Sequence, residues 1–413
     1  MYPLFRNSAF LRLFSGRLVT NAGDSLYYIA AMWLVYDLSG STFYTGLAGA
    51  LTLTPRAFQF LVGPLVDRWS LRRILVRTQL VQGLLVLLIP LAAWTGVLSV
   101  GIILVVIPLL SALNQFVYPA QSAALPRIVE DENLVEANSA FSVAYQGADT
   151  AFTALGGILI ALVGATALFV IDSLTFAIAA LLFAGVRVPT VEGSSKTVES
   201  ATQDYFRKLS EGVSYLRGSV IVPILGASVV VNFTIGIAMA VLPAFADQRG
   251  GPETYGTLLA AVLGGLLLGA LVASPLKKFG IGNLSVVGFA FGGICWLAAV
   301  SASSVRVTVL LFCLAWIPVG VTNVIFAAMA QTVVPDSLLG RVLSLTASAS
   351  AAAQPVGSLL GGIAGETIGS VPIISVVGGG FLFLTGVWLV HPMLRGLPAI
   401  EEIDPEEYGL SVR

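Results

Sequence analysis

The chain has 413 residues, of which 57% are hydrophobic and 10% charged, with a formal net charge of -1 and a mean hydropathy of +0.92. Soluble domains carry about 25% charged residues, so this composition excludes an ordinary soluble protein and points to a lipid bilayer as the main partner. No nucleic-acid partner is expected. Cys295 and Cys313 lie in apolar runs and read as buried small hydrophobes. His391 stands alone, so neither a metal site nor a cofactor is expected.

The opening stretch scatters Arg6, Arg12 and Arg17 and lacks a short apolar core with a small-residue cleavage site. It reads as a cytoplasmic end leading into a first membrane span. A hydrocarbon core about 30 Å thick needs roughly 20 apolar residues per helix. That rule places spans near 11–37, 43–66, 72–94, 98–125, 134–163, 165–185, 219–246, 254–276, 283–303, 307–333, 341–366 and 371–394. With both ends inside, the inner segments hold Arg6, Arg12, Arg68, Arg72, Arg73, Arg77, Arg127, Arg187, Lys196, Arg207, Lys208, Arg217, Lys277, Lys278, Arg341, Arg395 and Arg413. The outer loops hold only Arg249 and Arg306, which sets both termini in the cytoplasm.

The first span carries an acid, Asp24, about thirteen residues in and near midplane at about 1.5 Å per residue. The second span runs antiparallel to it and brings Arg56 to a depth within about 4–5 Å of Asp24, within reach of an Arg side chain. Two readings stand. The pair is either a permanent structural ion pair or a proton site, in which desolvation and the cation oppose each other. Asp149 on the fifth span is a rival for the proton site. Asp172 and Glu366, nearer the outer boundary, are expected to meet water, and Arg17 to snorkel towards the inner surface.

The longest polar stretch divides six spans from six, giving an N-terminal half 1–185, a linker 186–218, a C-terminal half 219–394 and a tail 395–413. From Tyr205 onward, apolar Phe206, Leu209, Val213 and Leu216 recur at helical steps, which predicts an amphipathic helix on the inner surface. The tail is acidic and expected to be mobile. The halves also echo each other. "GPLVDRWS" from Gly63 matches "ASPLKKFG" from Ala273, and "PAQSAALPRIV" from Pro119 matches "MAQTVVPDSLL" from Met329, both at a shift of 210 residues. Duplicated six-helix halves with a site between them are a transporter plan.

"GPLVDRWSLRR" resembles the signature loop of the major facilitator superfamily. "NAGDSLYYIAAMWLVYDLSGS", "YPAQSAALPRIVEDENLVEANS" and "VPDSLLGRVLSLTASASAAAQPVGSLLGG" resemble its macrolide-efflux and enterobactin-exporter branch. The resemblance implies an all-α membrane protein of twelve transmembrane helices in two pseudo-symmetric halves. It also implies secondary transport by alternating access, usually export driven by proton entry, in a prokaryotic plasma membrane, with a monomer expected. Carried onto this chain, Gly63, Asp67, Arg68, Arg72 and Arg73 would form a gating loop, although the arginines alone would also serve as topology anchors. Spans one, four, seven and ten would line the substrate cavity, offering Asn21, Tyr28, Asn114, Gln115, Tyr118, Asn232, Phe233, Trp316, Asn323 and Phe326. Amides and aromatics with few fixed charges suit a bulky amphipathic ligand.

The superfamily's antiporter glycine motif is incomplete on span five, where "GADTAFTALGG" lacks proline. "QPVGSLLGG" on span eleven fits it better, and small residues at four-residue steps read there as helix packing. There is no phosphate-binding loop for ATP and no catalytic constellation, so the chain reads as a gradient-driven transporter and not an enzyme. The alternative is an uncoupled facilitator or an importer of a small metabolite.

Overall fold

Lipid offers the backbone no hydrogen-bond partners, so apolar segments of this length satisfy their own peptide groups as helices. The computed structural model describes residues 4–57, 62, 66, 69–188, 218–404 and 407–408, and no strand occurs among them. Helix α1 spans Ser8–Ser39, α2 Thr42–Ala57, α3 Leu71–Trp94, α4 Val100–Asn114, α5 Val117–Ile128, α6 Leu134–Val163 and α7 Ala165–Ala184. The second series is α8 Ile221–Asp247, α9 Pro252–Leu276, α10 Ile281–Ser301, α11 Val305–Val333, α12 Asp336–Ile368 and α13 Ser370–Val390.

Local chemistry sets these limits. At the start of α1, Ala9 N–H and Phe10 N–H donate to Asn7 Oδ1 at 3.0 and 3.2 Å, and the helix stops at Gly40, whose φ is 63°. Single glycines with positive φ, Gly164 and Gly369, separate α6 from α7 and α12 from α13. Eight described helices, counting α4 and α5 as one broken span, are long and apolar enough to cross a membrane. A pair bent by 41°, Asp131–Thr153 with Leu155–Val163, makes a ninth. Charges dilute α1, and α2 is described only to Ala57. The order of helices agrees with twelve spans.

The chain divides into two compact units, Met1–Thr202 and Gln203–Arg413. In the first, α1 packs on α6 and α7, α2 on α4, and α3 on α7 and α4. In the second, α8 packs on α12 and α13, α9 on α11, and α10 on α13 and α11. The pairing by order is the same in each unit, as the repeat at a shift of 210 residues suggests. Each unit has an apolar interior. In the first, Phe10, Leu13, Leu75, Val117 and Phe183 share one cluster; in the second, Trp296 stacks on Phe312 with centroids 4.1 Å apart. Large apolar side chains also face outward: Leu84 is 68% exposed and Leu181 76%. A bilayer covers such surfaces; water does not.

The signature-loop residues Gly63, Asp67 and Arg68 lie outside the described residues, as do most of the linker and the whole amphipathic helix expected from Tyr205. The tail departs from expectation. Leu397 and Tyr408 are buried, and Tyr408 OH donates to Gly396 O at 3.2 Å. Apolar residues spaced among its acids give the tail something to bury, so acidity alone misjudged it.

Candidate functional site

The polar groups of the first unit gather along one stripe of α1, at Arg17, Asn21, Asp24 and Tyr28, spaced by four, three and four residues and so on one helical face. The stripe meets α4, α5 and α6. Arg17 is 6% exposed; its Nε donates to Gln121 Oε1 at 3.0 Å and to Tyr145 OH at 2.7 Å. The Tyr145 hydroxyl in turn donates to Gln121 Oε1. Asn21 Nδ2 donates to the Tyr145 carbonyl at 3.1 Å. Arg17 therefore does not snorkel. It is a buried guanidinium held by neutral partners, the expensive case for a cation.

Asp24 receives a hydrogen bond from Asn114 Nδ2 at 3.0 Å on Oδ2, while its Oδ1 is sealed from solvent without a partner among the described residues. The expected Asp24–Arg56 contact is not formed: Arg56 is exposed at the end of α2, and no ion pair joins the two. The depth argument located Arg56 along the axis but not around it. Asp149 itself is exposed and accepts from Ser25 Oγ at 2.7 Å, which ties it to the residue after Asp24.

Asp172 corrects another expectation. It is fully buried on α7 and does not meet water. Gly23 makes room for it, since a Cβ there would run into Asp172 Oδ1 and Thr175 Oγ1. Thr175 Oγ1 donates to Asp172 Oδ1 at 3.0 Å, and Oδ2 has no partner among the described residues. Two carboxylates thus lie at consecutive positions of α1, Asp24 on it and Asp172 against it. No His, Cys, Asp and Glu group suited to a metal occurs among the described residues.

The remaining expected residues divide. Tyr28 is half-buried, Gln115 Nε2 donates to Ser111 O at 2.9 Å, and Tyr118 is exposed. In the second unit Asn232 Nδ2 donates to Ser228 O of its own helix, and Asn323 is exposed. Trp316 is buried in an aromatic cluster of its unit, whereas Phe326 is half-buried. Trp316 is 3% exposed, with its ring edge-on to Trp296 and Phe381, and Phe326 stacks on Trp388 at 5.7 Å. Phe233 is half-buried where its carbonyl lies against Gly357, and Gly361 lies against Ile237. The glycines of "QPVGSLLGG" therefore serve the α8–α12 contact. Arg72 and Arg73 are exposed at the start of α3, and Arg73 lines a cleft of about 520 Å³ with Trp69, Arg77 and Phe116.

Tyr145, Gln121 and Thr175 escaped the sequence reading as site residues. Gln121 left one signal, its recurrence at Gln331.

The family described as transmembrane secretion effectors, within the major facilitator superfamily, matches residues 1–408. The chain belongs to that family. It is a multi-pass membrane transporter of small substrates and not an enzyme. The multidrug efflux pump Tap of Mycobacterium tuberculosis is 26% identical over 97% of this chain and 95% of its own length. Macrolide efflux protein A of Streptococcus pyogenes is 24% identical over 87% of this chain and 90% of its own. Among solved structures, a bacterial homologue of the human lysosomal transporter Spinster, inward-facing and occupied, aligns with TM-score 0.71. It does so at 13% identity, over 94% of this chain and 96% of that one. The nucleoside transporter NupG aligns at 0.70, with 10% identity and 92% and 99% coverage. These two share the fold.

Proposed function

We propose that this transporter exports an amphipathic small molecule across a bacterial cytoplasmic membrane by alternating access, driven by proton entry, as a monomer with both termini inside. Relatives named as multidrug and macrolide pumps along most of their length support the substrate class. One observation carries the coupling. Asp24 sits half-buried on the α1 stripe with a neutral amide as its direct partner and no ion pair. A carboxylate in that setting gains or loses a proton without breaking an ion pair, and Ser25 with Asp149 offers an exposed neighbouring carboxylate through which the proton exchanges. Intramembrane acids of this kind mark proton paths. Asn114, Asn21 and Tyr28 flank Asp24 as the proposed substrate contacts. Arg72 and Arg73, with Gly63, Asp67 and Arg68, remain the proposed gate.

The test is accumulation of macrolides, siderophores and amphipathic dyes in cells producing this chain, with and without a protonophore. The expected result is a protonophore-sensitive fall for at least one compound, lost in Asp24→Asn at equal protein level. Export that persists under protonophore would replace coupling with downhill facilitation. Full gradient-driven export by Asp24→Asn would remove Asp24 from the mechanism.

A further inference from the structure

The second unit repeats the signature loop without its acid. Lys277 and Lys278 stand where the first copy has Asp67 and Arg68. A carboxylate nevertheless reaches Lys277: Glu401 Oε1 lies 3.5 Å from its Nζ. Glu401 comes from the tail, on a single helical turn over Ile400–Glu402 that packs against α11.

What holds that turn in place is backbone chemistry. The first N–H groups of a helix have no partner inside it and need an acceptor from elsewhere. Ile281 N–H and Gly282 N–H, at the start of α10, donate to Pro398 O at 3.2 Å and Leu397 O at 3.0 Å. Val220 N–H, just before α8, donates to Tyr408 O at 3.1 Å. Gly282 is the residue that permits the approach, since a Cβ there would strike the carbonyls of Leu394 and Arg395. Tyr408 then closes the strap on itself through Gly396. Leu397 and Ala399 are buried between these anchors. Lys277 and Glu401 are both exposed, and such a pair adds little stability by itself. The strap brings Glu401 beside Lys277, so the pair acts by orienting the turn after α9 rather than by adding stability.

We propose that the described tail residues, 396–404 with Tyr408, form a strap that ties the start of α8, the end of α9 and the start of α10 into one body. Through Glu401 it supplies the carboxylate that the second loop lacks. The strap stays closed throughout transport, because opening it strips acceptors from the leading N–H groups of α10 and from the entry to α8. Lys277 and Glu401 are positioning residues that fix the α9–α10 turn against that body. The inference rests on the transport reading for its activity readout, and its other readouts need no transported compound.

The experiment uses the full chain with erythromycin as the transported probe. Lys277→Glu and Glu401→Lys are each expected to slow efflux several-fold, and the two together to restore it. Failure of the exchange to restore efflux, or unchanged efflux in both single variants, would overturn the positioning role. In a background with Cys295→Ala and Cys313→Ala, Lys277→Cys with Glu401→Cys is joined by a reducible bis-methanethiosulfonate reagent. Rapid joining with efflux preserved is the expected result; efflux that stops on joining and returns on reduction would overturn the closed strap. A chain ending at Gly396 is expected to melt several degrees lower in detergent, and wild-type melting would overturn the tie. Were the parent chain to move neither erythromycin nor any other compound of the panel, the drug-export reading would fail, while joining rate and melting would still decide the strap.

Discussion

Arg17 is a guanidinium that cannot shed its proton, 6% exposed and held by an amide, a phenol and a threonine hydroxyl. Such a charge is tolerated when its donors are met and negative charge lies near, and here Asp24 is the acid on its own helical face. Tyr145→Phe removes one acceptor from Arg17 and one donor to Gln121, so stability in detergent should fall by about 2 kcal/mol. Thermal melting of the purified variant checks this, and an unchanged midpoint would show the phenol to be dispensable. Gly23→Ala pushes a methyl into Asp172 and Thr175, and should cost about 1–3 kcal/mol by overpacking. Gly23→Ala with Thr175→Ala, which clears part of the space, should recover some of that loss in the same measurement. Asp24 was legible in the sequence because charge is scarce in an apolar run. Its partner was not: depth follows from counting residues, whereas the azimuth that selects Asn114 over Arg56 depends on how α1, α2 and α4 pack.

At the scale of elements, the helices were readable because each must satisfy its backbone within itself. The fifth and sixth expected spans, 134–163 and 165–185, fall on α6 and α7 almost to the residue, because Gly164 breaks the chain where the apolar runs meet. Its counterpart Gly369 does the same between α12 and α13, with φ 90° and ψ 161°, a region open only to glycine. Gly369→Ala should therefore destabilise the second unit by about 1–3 kcal/mol. Gly379→Ala, at a helical position with open space beside it, should be neutral, so comparing the two melting curves isolates backbone strain. The interruption at Gln115–Phe116, which splits the fourth span into α4 and α5, was not foreseen. The polar pair Asn114–Gln115 stands at the break, but a polar pair alone does not end a helix, and backbone geometry records the interruption.

For the molecule as a whole, the tail adds a pH response. Burial, with Glu407 beside it, pushes the Tyr408 phenol above its usual 10.0. A raised phenol contributes stability that is complete below about pH 10 and is lost as pH rises through the higher native value. The strap should thus loosen only on alkaline titration, seen as a melting temperature that falls above pH 10 in the parent chain and less steeply in Tyr408→Phe. The sequence by itself determined that the protein is a duplicated, all-helical membrane transporter. Composition, span length and a repeat at a constant shift are one-dimensional quantities, and a bilayer converts them directly into helices. The tertiary structure alone decided that Arg17 is buried, that Asp172 abuts Gly23, that Trp316 belongs to an aromatic core, and that Leu397 and Tyr408 of the acidic tail are buried. Each of those facts turns on which faces of separate helices meet. Facing is set by the packing of residues distant in the chain, which no local pattern encodes.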